Sequence, residues 1–178
     1  MKYIKLFENY DKFQPLNPWE EIYDFAKDEQ FHNIFYSDNH SDKELKEFKK
    51  KLRKNKGEDY VLMYHGTSCN NPIMEQGIKR TKNSTKKSLQ SQTGYVYLTV
   101  YPTMAKTFAE TAYPYDDVCV YQVFVKIKDL KPDTDQLKNK RMWGDQNIGS
   151  TLTDSLIHGR GARVKRDIMP YEIKKIDV

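Results

Sequence analysis

The stretch YVLMYHGTS at residues 60–68 places a histidine and a glycine directly after a short apolar run. The length and content of its first seven residues, YVLMYHG at 60–66, predict a β-strand that ends at the His-Gly pair. The stretch GYVYLTVYPTMAKTFAE at residues 94–110 predicts a second strand followed by a helix, because Pro102 suits the first helical position. These two stretches decide the interpretation of the fold, and the remaining elements are arranged around them.

The other elements predict an α+β fold. Short helices are expected in NPIMEQGIKR, which ends at Gly77, and in TLTDSLI. Strands are expected in DVCVYQVFVKI, ARVKRDI and YEIKKIDV, and the first of these is the longest and has the apolar character of a central strand. A long connection is expected at residues 129–150. Strands with short helices among them favour α+β over a doubly wound fold.

A helical, basic region is predicted to precede this domain. Residues 17–35 and 41–55 have the spacing and capping residues of helices. The change of character at Gly57 predicts a boundary between an N-terminal region at 1–57 and a domain at 58–178. The many lysines of the second helix are interpreted as a solvated face, with a nucleic-acid patch as the alternative.

The bulk composition limits the classes of function. The formal net charge of +5 permits contact with nucleic acid or another acidic partner. Cys69 and Cys119 are not expected to form a disulfide framework, and no cysteine and histidine pattern indicates a metal. A reducing, cytoplasmic setting is therefore expected. No apolar run is long enough for a membrane span, and the N-terminus lacks a signal-peptide core, so no membrane contact is expected.

The order of motifs along the chain resembles the ADP-ribosyltransferase superfamily, in the His-Tyr-Glu branch of poly(ADP-ribose) polymerases and diphtheria-type toxins. YHGTS resembles the first-strand His-Gly motif of the family, and IMEQGIKR resembles the turn behind it. GYVYLTVYPTMAKTFAE resembles the tyrosine strand and its following helix. The resemblance implies a split mixed or antiparallel sheet and an enzyme that uses NAD as its substrate.

The resemblance assigns roles to four residues around the nicotinamide. His65 would bind a ribose hydroxyl, and the backbone of Gly66 would hold the nicotinamide carboxamide, where the lack of a Cβ permits close approach. Tyr97 would stack on the nicotinamide ring. Phe108, 11 residues later, would cover its other side, although the helix pattern equally fits an ordinary core position.

Thr67 and Arg80 would lie towards the ribose or the adenine-side phosphates of NAD. The alternative for Arg80, which stands beside Lys79 and Lys82, is a solvated basic loop. Two interpretations are also open for the basic cluster at 160–166: a solvent-facing edge strand, or a site for an acceptor or a phosphate.

The third family residue, a glutamate at the start of a late strand, has no counterpart in this sequence. The best register puts Ala162 or Arg163 there, and Glu172 lies too far along the chain. Arg163 is a catalytic candidate of a different kind, because RNA 2′-phosphotransferases share this fold and use arginines with a histidine. Gln146 or Asp154, from the long connection, is the alternative.

The resemblance therefore implies a mono-ADP-ribosyltransferase, a glycosyltransferase-class enzyme that cleaves NAD and modifies a macromolecule. The basic balance of the chain slightly favours nucleic acid over protein as the acceptor. The first eight residues, MKYIKLFE, resemble the head-targeting leaders of proteins packaged into tailed-phage capsids. This implies a phage effector or toxin delivered to the host cytoplasm, and the alternative is a docked helical turn. The alternative functions are a 2′-phosphotransferase and a module that binds NAD or ADP-ribose without catalysis.

Overall fold

A computed structural model of the protein describes residues 41–43, 45–47, 50, 60–82, 91–138 and 148–178. The elements of the main domain, in chain order, are β1 (Tyr60–Ser68), α1 (Ile73–Gln76), β2 (Val96–Thr99), α2 (Pro102–Ala112), β3 (Val118–Lys126), a 3-10 turn (Ile127–Asp129), β4 (Leu130–Pro132), α3 (Thr134–Leu137), α4 (Leu152–Ile157), β5 (Gly161–Val164), a second 3-10 turn (Pro170–Glu172) and β6 (Ile173–Ile176).

The N-terminal region is described only in part. Residues 42–43, 45–47 and 50 are helical, within the helix predicted at 41–55. Leu45 packs against the main apolar core, so this helix contacts the domain that follows it. The predicted leader at 1–8 and the predicted helix at 17–35 lie outside the described residues.

The described strands form one sheet in the order β4-β5-β2-β1-β3-β6. Every pairing is antiparallel, so the fold is α+β as predicted and the sheet is not mixed. β1 pairs with β3 along its whole length, whereas β1 and β2 share the single pair Tyr64 and Thr99. The sheet therefore divides into two halves, β4-β5-β2 and β1-β3-β6, which separate between β1 and β2.

Helix α2 covers the sheet beside this division. It begins at Pro102, as predicted, and buries Ala105 and Ala109 against the strands. Ala105 forms a small apolar cluster with Tyr64 of β1 and Val120 of β3. The larger core has fully buried aliphatic side chains at its centre, since regular alternation along the strands sends them to a shared interior: Met63, Val123, Val125, Ala162 and Val164.

The connection predicted at 129–150 contains two elements that the prediction missed. β4 pairs with β5 at the edge of the sheet, and α3 begins after Asp133, whose side chain accepts hydrogen bonds from the backbone N–H groups of Asp135 and Gln136. Three residues of strand and four of helix are too short to show a period in the sequence. The prediction of a plain connection is thus wrong for residues 130–137.

The two cysteines are joined, contrary to the expectation from their number. Cys69, just after β1, forms a disulfide with Cys119 of β3, with Cα atoms 5.0 Å apart. The antiparallel register brings them together, because Thr67 and Ser68 of β1 already pair with Cys119 and Val118. A cysteine count cannot reveal this proximity, and the expectation of a reducing setting loses its support from cysteine usage.

Strand β5 is an interior strand, between β4 and β2, and all four of its residues are buried. The interpretation of the basic cluster at 160–166 as a solvent-facing edge is therefore wrong. Arg166 is bound by Asp129 and by both carboxylate oxygens of Glu172. The strand begins at Gly161, so the late-strand start lies one residue before Ala162, the earlier of the two positions expected from the sequence.

Candidate functional site

A cavity of about 300 Å³ lies where β1 and β2 separate. Five of the six residues predicted to bind NAD line it, and they come from β1, β2 and α2: His65, Gly66, Thr67, Tyr97 and Phe108. The cavity is also lined by Gly161 and by polar and aromatic side chains that the prediction did not include: Tyr95, Tyr113, Asp133, Asp135 and Gln136. A concave site with aromatic walls and a few convergent polar groups is typical of small-molecule binding.

His65 joins the two halves of the sheet across their separation. Its Nδ1 lies 3.0 Å from the carbonyl oxygen of Tyr97. A carbonyl only accepts hydrogen bonds, so Nδ1 carries the proton. Burial lowers the pKa of His65, and the imidazole is therefore neutral near pH 7. The other nitrogen, Nε2, is then an acceptor, which matches a donor such as a sugar hydroxyl.

Gly66 is required by the packing of α2. A Cβ at this position would lie 1.9 Å from the carbonyl oxygen of Ala105 and 3.0 Å from the Cβ of Ala109. The absence of a side chain thus lets α2 approach β1. A different reason for glycine here was expected from the sequence, namely close approach of the nicotinamide carboxamide. The backbone of Gly66 still lines the cavity.

Tyr97 is held by its hydroxyl group. The hydroxyl donates to Oδ2 of Asp135 and accepts from the backbone N–H of Gln92 at 2.7 Å. Burial, followed by the hydrogen bond to Asp135, raises the pKa of Tyr97, so the hydroxyl stays protonated. A ring fixed at its far end is a preorganised platform for stacking.

Phe108 is exposed, with a relative accessibility of 39%, although its helix neighbours Ala105 and Ala109 are buried. The alternative of an ordinary core position is therefore wrong for this residue. An exposed aromatic ring at a cavity wall gains little from folding and is available to a ligand.

Thr67 and Arg80 have different surroundings. The hydroxyl oxygen of Thr67 accepts a hydrogen bond from Nδ2 of Asn71 at 2.7 Å, and Thr67 lines the cavity. Arg80 does not line it. The Nε and backbone N–H of Arg80 both donate to Oδ1 of Asp167, at 3.0 and 3.1 Å, on an exposed surface. Its neighbours Lys79 and Thr81 reach the cavity in its place.

Arg163 is buried beside the cavity and does not line it. Its Nη1 donates to Oε1 of Gln92 at 3.0 Å and lies 3.5 Å from Oδ2 of Asp135. Its Nη2 donates to Oγ1 of Thr134 at 2.9 Å, and the guanidinium lies 4.2 Å from the ring centroid of Tyr95. These contacts engage both terminal nitrogens, so Arg163 supports the Tyr97–Asp135 pair instead of presenting its charge to a ligand.

Asp133 and Asp135 are the carboxylates that line the cavity among the described residues. Neither residue was predicted from the sequence, because both lie in the segment 129–150 that was expected to be a plain connection. The segment PDTDQ carried a usable indication: an Asp followed three residues later by Gln is typical of a helix start. That pattern predicts a cap at Asp133, but it does not place the cap beside β2.

The carboxylates considered from the sequence are engaged elsewhere. Asp154 completes the capping box of α4, where Thr151 is the N-cap and the Oδ2 of Asp154 accepts from the backbone N–H and the hydroxyl of Thr151. Glu172 is bound by Arg166 and by the backbone N–H of Met169. Neither lines the cavity. Gln146 lies outside the described residues.

Comparison with known proteins gave no match to any protein-family model and no match to any curated sequence. Functional inference therefore depends on the residues and geometry of the cavity. In the part of the chain that the structure describes, no helix is long and apolar enough to cross a membrane. The same residues contain no group of three or more His, Cys, Asp or Glu side chains placed to hold a metal ion.

Proposed function

We propose that this protein is a mono-ADP-ribosyltransferase with an ADP-ribosyltransferase-like fold, which cleaves NAD and transfers ADP-ribose to a macromolecule. One observation carries the proposal. Five residues chosen from motif resemblance alone, spread over 44 positions from His65 to Phe108, line a single cavity. The division of the sheet between β1 and β2 also agrees with the split sheet that the resemblance implies.

The cavity has groups for each part of the nicotinamide half of NAD. Tyr97 and Phe108 offer two aromatic faces, and aromatic rings stack favourably on a flat heterocycle. The neutral His65 offers an acceptor nitrogen to a ribose hydroxyl. Gly66 lines the cavity, and its backbone is proposed to hold the carboxamide. The 300 Å³ of the cavity lies at the small end of ligand pockets, so it suits this half of NAD and leaves the adenine half outside.

The proposed reaction begins with heterolysis of the bond between the ribose C1′ and the nicotinamide nitrogen. The bonding electron pair leaves with the nicotinamide, which becomes neutral, and the ribose acquires oxocarbenium character. A hydroxyl or amine of the acceptor attacks C1′, forms the new bond and releases its proton to water. Clamping the leaving group between Tyr97 and Phe108 fixes the reacting geometry, which contributes several kcal/mol in favourable cases.

The acceptor is proposed to be nucleic acid in preference to protein, because the chain carries a net charge of +5. The phage leader resemblance extends the proposal to an effector or toxin that modifies host components in the host cytoplasm. Both statements depend on the sequence.

The 2′-phosphotransferase alternative is less well supported. It requires arginines that face a phosphate, whereas Arg163 is bound by Gln92 and Thr134, and Arg166 by Asp129 and Glu172. A binding module without catalysis is the other alternative, and it differs from the transferase by leaving NAD intact.

The test is release of nicotinamide from NAD, measured by chromatography, with host lysate fractions as acceptors. Label from the adenine portion of NAD is followed into nucleic acid and into protein by nuclease and protease digestion. We expect wild-type protein to label the nucleic-acid fraction, and His65→Ala and Tyr97→Ala to lose most of this activity. Failure of the wild-type protein to release nicotinamide with any fraction would refute the transferase. NAD binding without cleavage supports the binding module, and cleavage only with 2′-phosphorylated RNA supports the phosphotransferase.

A further inference from the structure

Strand β5 begins with a residue that has no side chain. Gly161 lines the cavity and pairs with Thr99 of β2. A Cβ at this position would lie 3.5 Å from Oε1 of Gln136, so a side chain from α3 already stands beside the place that a residue at 161 would occupy. The segment before and within α3 therefore supplies the polar groups at this wall of the cavity.

Of the two carboxylates at this wall, Asp135 is held through Oδ2. That oxygen accepts from the hydroxyl of Tyr97 and from the backbone N–H of Gln92 at 3.0 Å. Nη1 of the buried Arg163 lies 3.5 Å away and balances its charge. A carboxylate with these partners positions the tyrosine ring, and its charge is already compensated before a ligand enters.

Asp133 has a different set of contacts. Its Oδ1 accepts from the backbone N–H groups of Asp135 and Gln136, both at 3.2 Å. Within the described residues, no hydrogen-bond donor reaches its second oxygen, Oδ2. The carboxylate is thus held by one oxygen and keeps the other for a group in the cavity.

The backbone of Asp133 is tied to the start of β5 through one buried side chain. The backbone N–H of Asp133 donates to Oγ of Ser155 at 2.7 Å, and the Ser155 hydroxyl donates to the carbonyl oxygen of Gly161 at 2.7 Å. Ser155 has no exposed surface. The position of Asp133 relative to β5 is therefore fixed by the fold.

Burial raises the pKa of Asp133, which means that the surroundings disfavour its negative charge. The nearby charges are Asp135, which also disfavours ionisation, and Arg163, which favours it. A positive charge that develops in the cavity would add to the effect of Arg163 and stabilise the ionised carboxylate. This is complementarity to a cationic transition state.

We infer that Asp133 is the catalytic carboxylate of this site and stabilises the oxocarbenium charge of the ribose through its Oδ2, while Asp135 positions Tyr97. This inference rests on the proposed transferase function. In the step itself, the electron pair of the C1′–nitrogen bond leaves with nicotinamide, and Asp133 forms no bond and transfers no proton.

The test compares Asp133→Asn with Asp154→Asn. Asparagine caps helices as well as aspartate does, so the first substitution removes the charge and keeps the cap of α3. Asp154 is also a cap-region carboxylate, of α4, and does not line the cavity. We expect Asp133→Asn to release nicotinamide about 100-fold more slowly, the size of effect typical of one transition-state electrostatic contact. Its affinity for NAD in calorimetry should stay within about threefold of the wild type, and Asp154→Asn should keep the wild-type rate.

The outcomes separate the inference from the proposed function. If the wild type releases nicotinamide and Asp133→Asn matches it within about twofold, the inference alone is overturned. An equal loss of NAD affinity and rate in Asp133→Asn also overturns it, because the residue would then serve binding. A wild type that leaves NAD intact removes both proposals. Should Asp133→Asn fail to fold, Asp133→Ser, another good cap without a charge, gives the same comparison.

Discussion

Truncation of Phe108 should separate ligand binding from folding. Phe108 is 39% exposed and does not belong to either apolar core cluster. A buried Phe→Ala change costs about 3–5 kcal/mol, mostly because it leaves a cavity. Phe108→Ala removes a wall that already faces a cavity, so we expect a loss of about 1 kcal/mol in the free energy of unfolding. Loss of one stacking partner costs about 1–3 kcal/mol of binding, which raises the Kd for NAD by about 5- to 150-fold.

The assay pairs calorimetric titration of NAD with urea unfolding of the same protein samples. Phe108→Leu keeps apolar bulk without an aromatic face and should bind as weakly as the alanine variant, whereas Phe108→Tyr should bind as the wild type does. Tyr115→Ala is the matched control, since this tyrosine is 98% exposed and does not line the cavity. Unchanged NAD affinity in Phe108→Ala refutes the stacking role. A loss of more than about 3 kcal/mol in stability shows instead that Phe108 is a core residue.

Three further results are expected. Gly66→Ala should cost more than about 3 kcal/mol of stability and abolish soluble expression, because its Cβ would overlap the Ala105 carbonyl; a folded variant with wild-type melting would contradict the α2 contact. Reduction of the Cys69–Cys119 disulfide, which spans 50 positions, should lower the free energy of unfolding by about 4 kcal/mol, and an unchanged urea midpoint in dithiothreitol would show that the bond does not form. The pKa of His65 is lowered in the folded state, so its contribution to stability is present above its unfolded pKa of about 6.5 and is lost as the pH falls through the folded pKa. The free energy of unfolding should therefore drop more between pH 7 and 5 in the wild type than in His65→Gln. An equal dependence of stability on pH in the two proteins would refute a buried neutral imidazole.

The sequence predicted the elements whose formation depends on local pattern. The strand that contains His65 and Gly66, the helix beginning at Pro102 and the short helix stopped by Gly77 all have local causes: side-chain content, a fixed proline φ and a glycine that adopts φ 74°. The strand runs two residues beyond its predicted end at Gly66, to Ser68, because its pairing with β3 continues. The spacing between Tyr97 and Phe108 was also visible in the sequence. The wall of the cavity formed by β1, β2 and α2 was therefore predictable from local sequence patterns.

The opposite wall depended on contacts between distant residues. Asp133 and Asp135 belong to a cap and a short helix with no detectable period, and they reach the cavity beside Tyr97 only because β4 pairs with β5 and β5 pairs with β2. The same pairing buries Arg163, which by sequence was a free cation facing a ligand and by structure is a partner of Asp135.

The sequence by itself determined that the chain is α+β and that His65, Gly66 and Tyr97 lie on strands. Only the tertiary structure decided that the cysteines meet, that the sheet divides between β1 and β2, and which carboxylates face the cavity. The physical reason is that strand order and register are fixed by burial over the whole chain. No window of neighbouring residues contains that information.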